Sequence, residues 1–274
     1  MLAQRLLTAA IGIPIIVGVI YVGGVLFTAV VAVILAIAAI EFVHMMMREE
    51  RPLWRPSPVA VVAAAGAAAM PLIVDVGDFE WPPELAILLG LAMLYILVRG
   101  VPDFALPSWA AIVAGVAYVG LLGSYFVLLR DLDDEVHWVF WAVLSTWGTD
   151  TCAYAVGKLI GRHKMAPSIS PGKTWEGTIG ALVGGLAIVV ALNWALDLPV
   201  STSEAMLLGL MLPTVAVLAD LGESVLKRSA GVKDTSELVP GHGGFLDRVD
   251  GLLAVALAVA LAQSLGGGIL VWTR

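Results

Sequence analysis

The chain has 274 residues, 60% of them hydrophobic and 14% charged, against about 25% charged in ordinary soluble domains. The apolar residues fall in long uncharged runs and not in short amphipathic patches, which argues against a soluble globule. The formal net charge of -7, from 15 Lys and Arg against 22 Asp and Glu, offers no bulk attraction to nucleic acid.

A helix crossing the roughly 30 Å hydrocarbon layer needs about 20 residues, so this length has room for at most about ten. Hydropathy predicts spans at residues 6–24, 26–46, 58–75, 84–98, 108–129, 136–157, 178–196, 204–226 and 251–272. The expected fold is therefore all-α, a polytopic integral membrane bundle of about nine transmembrane helices. Residues 1–135 hold the first five spans, and residues 136–274 form a C-terminal transmembrane region that carries the chemical motifs. The first apolar run follows Arg5 without a small-x-small cleavage site before the second, so it reads as a retained anchor. Cys152 is the single cysteine, which rules out an internal disulfide and a cysteine-built zinc site.

Loop charges orient this bundle, because cytoplasmic loops are rich in Lys and Arg. With the N-terminus inside, the inner segments hold Arg5, Arg48, Arg51, Arg55, Arg99, Lys158, Arg162, Lys164, Lys173, Lys227, Arg228, Lys233 and Arg248. The outer segments keep Arg130 and Arg274 and are otherwise acidic: Asp75, Asp78, Glu80, Glu84, Asp131, Asp133, Asp134, Glu135, Asp197 and Glu204. The expectation is N-terminus inside and C-terminus outside.

Seven carboxylates lie in or beside the spans on the inner half: Glu41, Asp150, Glu176, Asp220, Glu223, Asp247 and Asp250. Such groups are costly in lipid and face polar cavities. Asp220 stands 14 residues after Met206, about 21 Å along a helix, and Asp150 lies about 18 Å beyond Trp138. With Asp247 and Asp250 just ahead of the last span, three helices bring acid to one level of the membrane.

Three segments carry chemistry. In the eighth span, Asp220, Glu223, Ser224 and Lys227 fall at offsets of three, four and seven, one stripe of a helix. A carboxylate stripe ending in Lys227 and Arg228 suits a metal held beside phosphate; a helix end with snorkelling bases and a structural ion pair would look the same. Downstream, Pro240, Gly241, Gly243 and Gly244 surround His242, so backbone N–H groups can approach an anion. Asp247 and Asp250, three apart, suit oxygen ligation of a hard cation such as magnesium; the bland alternative is a polar loop with a capped helix start. Upstream, Gly172-Lys173-Thr174 resembles part of a nucleotide phosphate loop, but Pro167 stands where that loop needs glycine. What remains is a basic, hydroxyl-rich loop able to bind phosphate, or ordinary positive-inside charge.

Other candidates are weaker. Glu41 and His44 share a helix face and read as a structural hydrogen bond, His137 and His163 as loop residues, and Met45 to Met47 as packing. Small residues in spans three, seven and nine indicate close helix packing.

These residues resemble a known family. Ser224-x2-Lys227-Arg228-x4-Lys233-Asp234, followed by Pro240-x-His242-Gly243-Gly244-x2-Asp247-Arg248-x-Asp250, is similar to the signature of the phosphatidate cytidylyltransferases, or CDP-diacylglycerol synthases. Val239 departs from that signature only by one apolar residue for another. Asp150-Thr-x-Ala-Tyr154 and Ser170-Pro-x-Lys173-Thr174-x-Glu176-Gly177 also resemble the family, so its motifs cover roughly residues 145–260.

The resemblance implies a membrane enzyme that uses CTP, phosphatidate and Mg2+, with one or two cations, to make CDP-diacylglycerol and pyrophosphate. It implies Asp220 and Asp247 as leading metal ligands, with Asp250 and Asp150 near them. Lys173, Ser224, Lys227, Arg228, Lys233, His242 and Arg248 would handle phosphates, and Asp220, Asp247, Lys227 and His242 would form the catalytic set. It further implies a bacterial-type cytoplasmic membrane, a site facing the cytoplasm, and by family habit a homodimer. Two alternatives stay open. A secondary transporter would use Asp150 and Asp220 as ion sites with the Pro213-broken span, and a CTP-dependent polyprenol kinase would share the nucleotide. A CDP-alcohol phosphotransferase fails, because Asp250-Gly-x2-Ala254 is followed by Val255 and no later Asp.

Overall fold

The structure, a computed structural model, describes residues 2–76, 90, 92–95, 102–132, 136–238 and 243–266. Its helices are α1 (Leu2–Val22), α2 (Gly24–Met47), α3 (Pro58–Val76), α4 (Pro102–Ala114), α5 (Leu122–Asp131), α6 (His137–Ile160), α7 (Trp175–Ala195), α8 (Thr202–Ala230) and α9 (Leu246–Gly266). A π-helical stretch, Gly115–Leu121, joins α4 to α5 without a break. Helix occupies the described part of eight of the nine predicted spans, and residues 267–272 of the last lie outside the described residues. Beyond residues 90 and 92–95, the fourth, at 84–98, lies outside them, as do Asp78, Glu80, Glu84, Arg99, Asp133, Asp134, Glu135, His242 and Arg274.

Five of the described helical segments are long and apolar enough to cross a membrane: Gly24–Met47, Pro58–Asp75, Ala105–Asp131, Trp175–Ala195 and Thr202–Ala230. Large apolar side chains stay uncovered along them, such as Ile179 and Val183 on α7 and Leu207 and Leu218 on α8. Contiguous exposed apolar surface is costly in water and natural against lipid. The chain is an integral membrane protein that is nearly, but not entirely, helical. The all-α expectation holds apart from one short antiparallel hairpin, β1 (Lys164–Ala166) and β2 (Ser170–Thr174), with Lys164 opposite Thr174. Helix α6 ends where Gly161 turns extended, Pro167 sits in the turn between the strands, and the short pairing satisfies backbone groups that a loop would leave open.

The chain divides into two compact units, Met1–Leu128 with Ala230–Arg248 and Leu129–Ser229 with Val249–Val271. In the first, α2 and α3 pack through alanines without exposed surface, among them Ala38, Ala39, Ala60, Ala63 and Ala67. Val43, Met70, Ala111, Ile112 and Val116 complete this core. Gly120 of the π-helical stretch is pressed against Ala67, whose Cα would lie 2.6 Å from an added Cβ. Asp75, expected in an outer loop, ends α3 and accepts a hydrogen bond from Thr28 of α2 at 3.0 Å. Helix α2 stops where Arg48 turns left-handed (φ 51) and its N–H and that of Glu49 fold back onto Met45 and His44 carbonyls.

In the second unit, α6 and α7 pack through glycines. A Cβ on Gly180 would sit 2.6 Å from Val156, and one on Gly184 would sit 2.5 Å from the Cys152 sulfur. Small residues thus bring the two backbones together, as membrane helices require when lipid supplies no hydrophobic drive. The buried Trp141 indole donates to the Val189 carbonyl at 3.0 Å, fixing the rotation of one helix against the other. On α7, Gly185 meets Pro213 of α8, and Gly209 of α8 meets Leu186 of α7.

Candidate active site

The C-terminal third of α8 carries the predicted stripe. Glu223 is 1% exposed and Lys227 9%, and their side chains pair at 3.0 Å one helical turn apart. A buried carboxylate without a compensating charge would be severely destabilising, so Lys227 stabilises Glu223 first. Ser224 leans on Asp220 at 3.5 Å. Asp250, from the first turns of α9, adds like charge: Glu223 feels Asp250, and Asp250 in turn feels Asp220. Three carboxylates and a lysine are gathered in one patch of the second unit.

A second lysine arrives from the hairpin. Lys173, on β2, places its Nζ 2.8 Å from Asp220 Oδ2 and donates to the Val217 carbonyl at 3.3 Å. The local sequence explains this delivery. Thr174 caps α7, its hydroxyl accepting from the Gly177 N–H at 3.1 Å. Glu176, in the first turn, accepts the N–H groups of Arg162 and His163 at 3.1 and 3.2 Å and contacts His163 Nδ1 at 2.6 Å. The Trp175 N–H donates to the His163 carbonyl at 2.9 Å. Both ends of the hairpin are thus tied to the start of α7, and Lys173 projects from a fixed base. Arg228 reaches the same loop, donating from Nε to the Ile169 carbonyl at 2.9 Å.

Among the described residues no three His, Cys, Asp or Glu side chains converge closely enough to hold a metal alone. Magnesium rarely asks for such a cage, since it keeps waters and takes one or two carboxylates together with substrate phosphates. Asp220 and Asp250, two oxygen donors in mutual repulsion, fit that chemistry. Neither oxygen of the buried Glu223 receives a well-directed hydrogen bond, so the Lys227 ammonium at 3.0 Å is its main compensation.

In the first unit, Asp247 opens α9, buried to 8% exposure. Three donors converge on its Oδ2: the Thr235 N–H at 2.9 Å, the Thr235 hydroxyl at 3.0 Å and the Gly244 N–H at 2.9 Å. These bonds tie Thr235 and Gly244 to the start of α9 through Asp247. Gly243 has φ +83, and a Cβ on Gly244 would run into the Thr235 hydroxyl and the Glu41 carboxylate. The twin glycines are required by this geometry.

Other predicted residues divide in the same way. Lys233 and Arg248 are exposed in the first unit, Asp150 is exposed on α6, and His242 lies outside the described residues. His137, expected in a loop, starts α6. Two functional candidates lie outside the site set that the resemblance implied. Glu223 joins the acidic patch, and its signal was present in the stripe it shares with Asp220 and Lys227. Glu41, fully buried, binds the signature loop through four hydrogen bonds. Nothing local to it in sequence announces partners so far along the chain.

The fold and this patch define a class: an integral membrane protein whose carboxylates and lysines are gathered at helix ends, suited to phosphate groups and a hard cation. The Cytidylyltransferase family matches residues 3–265 of the chain. The chain is 33% identical to the phosphatidate cytidylyltransferase of Staphylococcus haemolyticus over 255 residues, 92% of this chain and 95% of that protein. It is 32% identical to that of Staphylococcus aureus over 264 residues, 95% and 99% of the two chains. It is 37% identical to that of Bacillus subtilis over 173 residues, 63% and 64%. The chain belongs to the cytidylyltransferase family.

Proposed function

We propose that this chain is a phosphatidate cytidylyltransferase, a nucleotidyltransferase of phospholipid biosynthesis that converts CTP and phosphatidate to CDP-diacylglycerol and pyrophosphate. The observation that carries this reading is the Lys173–Asp220 contact beside the buried Glu223–Lys227 pair, in a membrane chain aligned over 92% of its length with a relative of that name. Neither an ion-coupled transporter nor a polyprenol kinase has an observation of its own in its favour.

The reaction joins two polyanions, so repulsion is the main barrier to approach. A lipid phosphate oxygen bonds to the α-phosphorus of CTP while the bond from that phosphorus to the β-phosphate bridge breaks, and pyrophosphate leaves. The attacking phosphate is already ionised near neutral pH, so no strong base is needed. Lys173, Arg228, Lys233 and Arg248 bind and orient phosphates, and Ser224 adds a hydroxyl donor. Lys227, held by Glu223, presents fixed positive charge toward the leaving group. His242 would contact phosphate first, with proton transfer a secondary role. Asp220 and Asp250 are proposed Mg2+ ligands; Asp247 and Asp150 are proposed as ligands from the family resemblance. When bound, the ion neutralises triphosphate charge and stabilises the departing pyrophosphate.

The membrane arrangement proposed is nine spans, N-terminus inside and C-terminus outside, with the site facing the cytoplasm where CTP is found. What supports it is the distribution of basic residues, 13 of 15 falling on the proposed inner side. Residues 1–135 would embed the protein and residues 136–274 would hold the catalytic motifs. A homodimer is part of the same proposal. The test is purified protein in detergent with CTP, phosphatidate and Mg2+. CDP-diacylglycerol and pyrophosphate in equal amounts support the reading; no product across divalent ions, with no CTP binding, overturns it.

A further inference from the structure

The geometry points to Glu41 as a positioning residue for the transfer reaction: from the inner end of α2 it holds the loop and helix start that present Asp247. The inference rests on the proposed role of Asp247 and adds a residue outside the signature motifs.

Glu41 has no exposed surface, yet its carboxylate is fully engaged. Oε1 accepts the Ser236 hydroxyl at 2.6 Å and the Phe245 N–H at 3.1 Å. Oε2 accepts the Thr235 hydroxyl at 3.1 Å and the Leu246 N–H at 2.8 Å. The two backbone donors are Phe245, which immediately precedes α9, and Leu246, its first residue, where N–H groups have no partner within the helix. Negative charge is favoured at that end by the helix dipole. Glu41 therefore caps α9 from a distant helix and pins both flanks of the segment between residues 235 and 246.

The link to Asp247 is direct. The Thr235 hydroxyl lies 3.1 Å from Glu41 Oε2 and 3.0 Å from Asp247 Oδ2. It has one hydrogen to give, so it donates to one carboxylate at a time or is shared between the two, and its place between them sets their spacing. Gly244 passes between them, where any side chain would collide. A residue that only filled space would not need four donors; a mere helix cap would not need the bridge to Asp247. A one-carbon displacement of this clamp tilts the Asp247 carboxylate, and small misplacements of reacting groups lower turnover far more than binding.

Chemistry predicts how each variant behaves. In Glu41→Gln one carboxylate oxygen becomes an NH2, which cannot accept from the Phe245 or Leu246 N–H; the hydroxyls of Thr235 and Ser236 can reverse, the backbone cannot. Glu41→Asp keeps the charge and both acceptors but shortens the reach. Thr235→Val removes the bridging hydroxyl and leaves both carboxylates and their backbone donors in place, and Thr235→Ser restores it.

The test uses the full-length protein in detergent, with kcat and both KM values normalised to folded protein and with hydrogen exchange of the 243–248 amides. Glu41→Gln is expected to lower kcat more than about tenfold with both KM values within about threefold, and to speed exchange at residues 245 and 246. Glu41→Asp recovers part of the kcat. Thr235→Val repeats the loss and Thr235→Ser does not, which keeps the inference testable if Glu41→Gln fails to insert. Wild-type kcat per folded molecule in Glu41→Gln, or in Thr235→Val where Glu41→Gln does not insert, overturns the inference. So does unchanged amide exchange. If the wild type itself turns over no CTP, the proposed function fails, while the exchange data still report the clamp.

Discussion

Replacing Lys173 with Met removes the ammonium 2.8 Å from Asp220 Oδ2 and keeps most of the aliphatic stem. The pair is partly wet, with side-chain exposures of 20% and 44%. A pair so open to solvent contributes at most about 1 kcal/mol to stability, and the backbone carbonyl of Val217, its second partner, regains water easily. A preorganised positive charge on a phosphate in the transition state is worth more, about 10²–10³ in kcat or about 2.7–4 kcal/mol. Lys173→Met is thus expected to leave the thermal unfolding midpoint in detergent within a few degrees of wild type. Conversion of labelled CTP to lipid-bound nucleotide should fall at least about a hundredfold. A loss under about tenfold, or a stability loss large enough to explain it, refutes the assignment of Lys173 to phosphate.

Lys227→Met leaves Glu223 buried without its cation, and breaking a buried pair from one side costs about 3–5 kcal/mol. Thermal unfolding should collapse in the single variant and recover in Lys227→Met with Glu223→Gln, while activity stays lost in both. Thr174→Ala removes the α7 cap and should cost about 1 kcal/mol, read as a lowered unfolding midpoint with activity lowered through Lys173. Gly184→Ala puts a methyl 2.5 Å from the Cys152 sulfur and should destabilise by about 1–3 kcal/mol, measured the same way. Asp220→Asn and Asp247→Asn should each abolish turnover in protein that still inserts; near-normal activity in either moves the metal elsewhere.

The helices were legible because hydropathy is local. Span 26–46 became Gly24–Met47 and span 136–157 became His137–Ile160, within a few residues. The hairpin was not, since Pro167 and Gly172 read as loop punctuation and its strand pairing depends on Glu176 and Thr174 fastening it to α7. Within the site, the Glu223–Lys227 pair is written in an i,i+4 spacing that any helix would honour. The Lys173–Asp220 contact joins residues on separate elements, and no periodicity relates them. Glu41 is the clearest case: its partners lie 194 to 205 positions away. The residue looked like an isolated acid in an apolar helix until the loop closed over it.

The central claim is transfer of a cytidylyl group to a lipid phosphate, and the position of a radiolabel decides it. Membranes containing the protein, given phosphatidate, Mg2+ and CTP labelled at the α-phosphate, should yield labelled lipid, and CTP labelled at the γ-phosphate should yield labelled pyrophosphate and unlabelled lipid. Lipid labelled from the γ-phosphate would mean a kinase, and lipid unlabelled from both would mean no transfer; either contradicts the account.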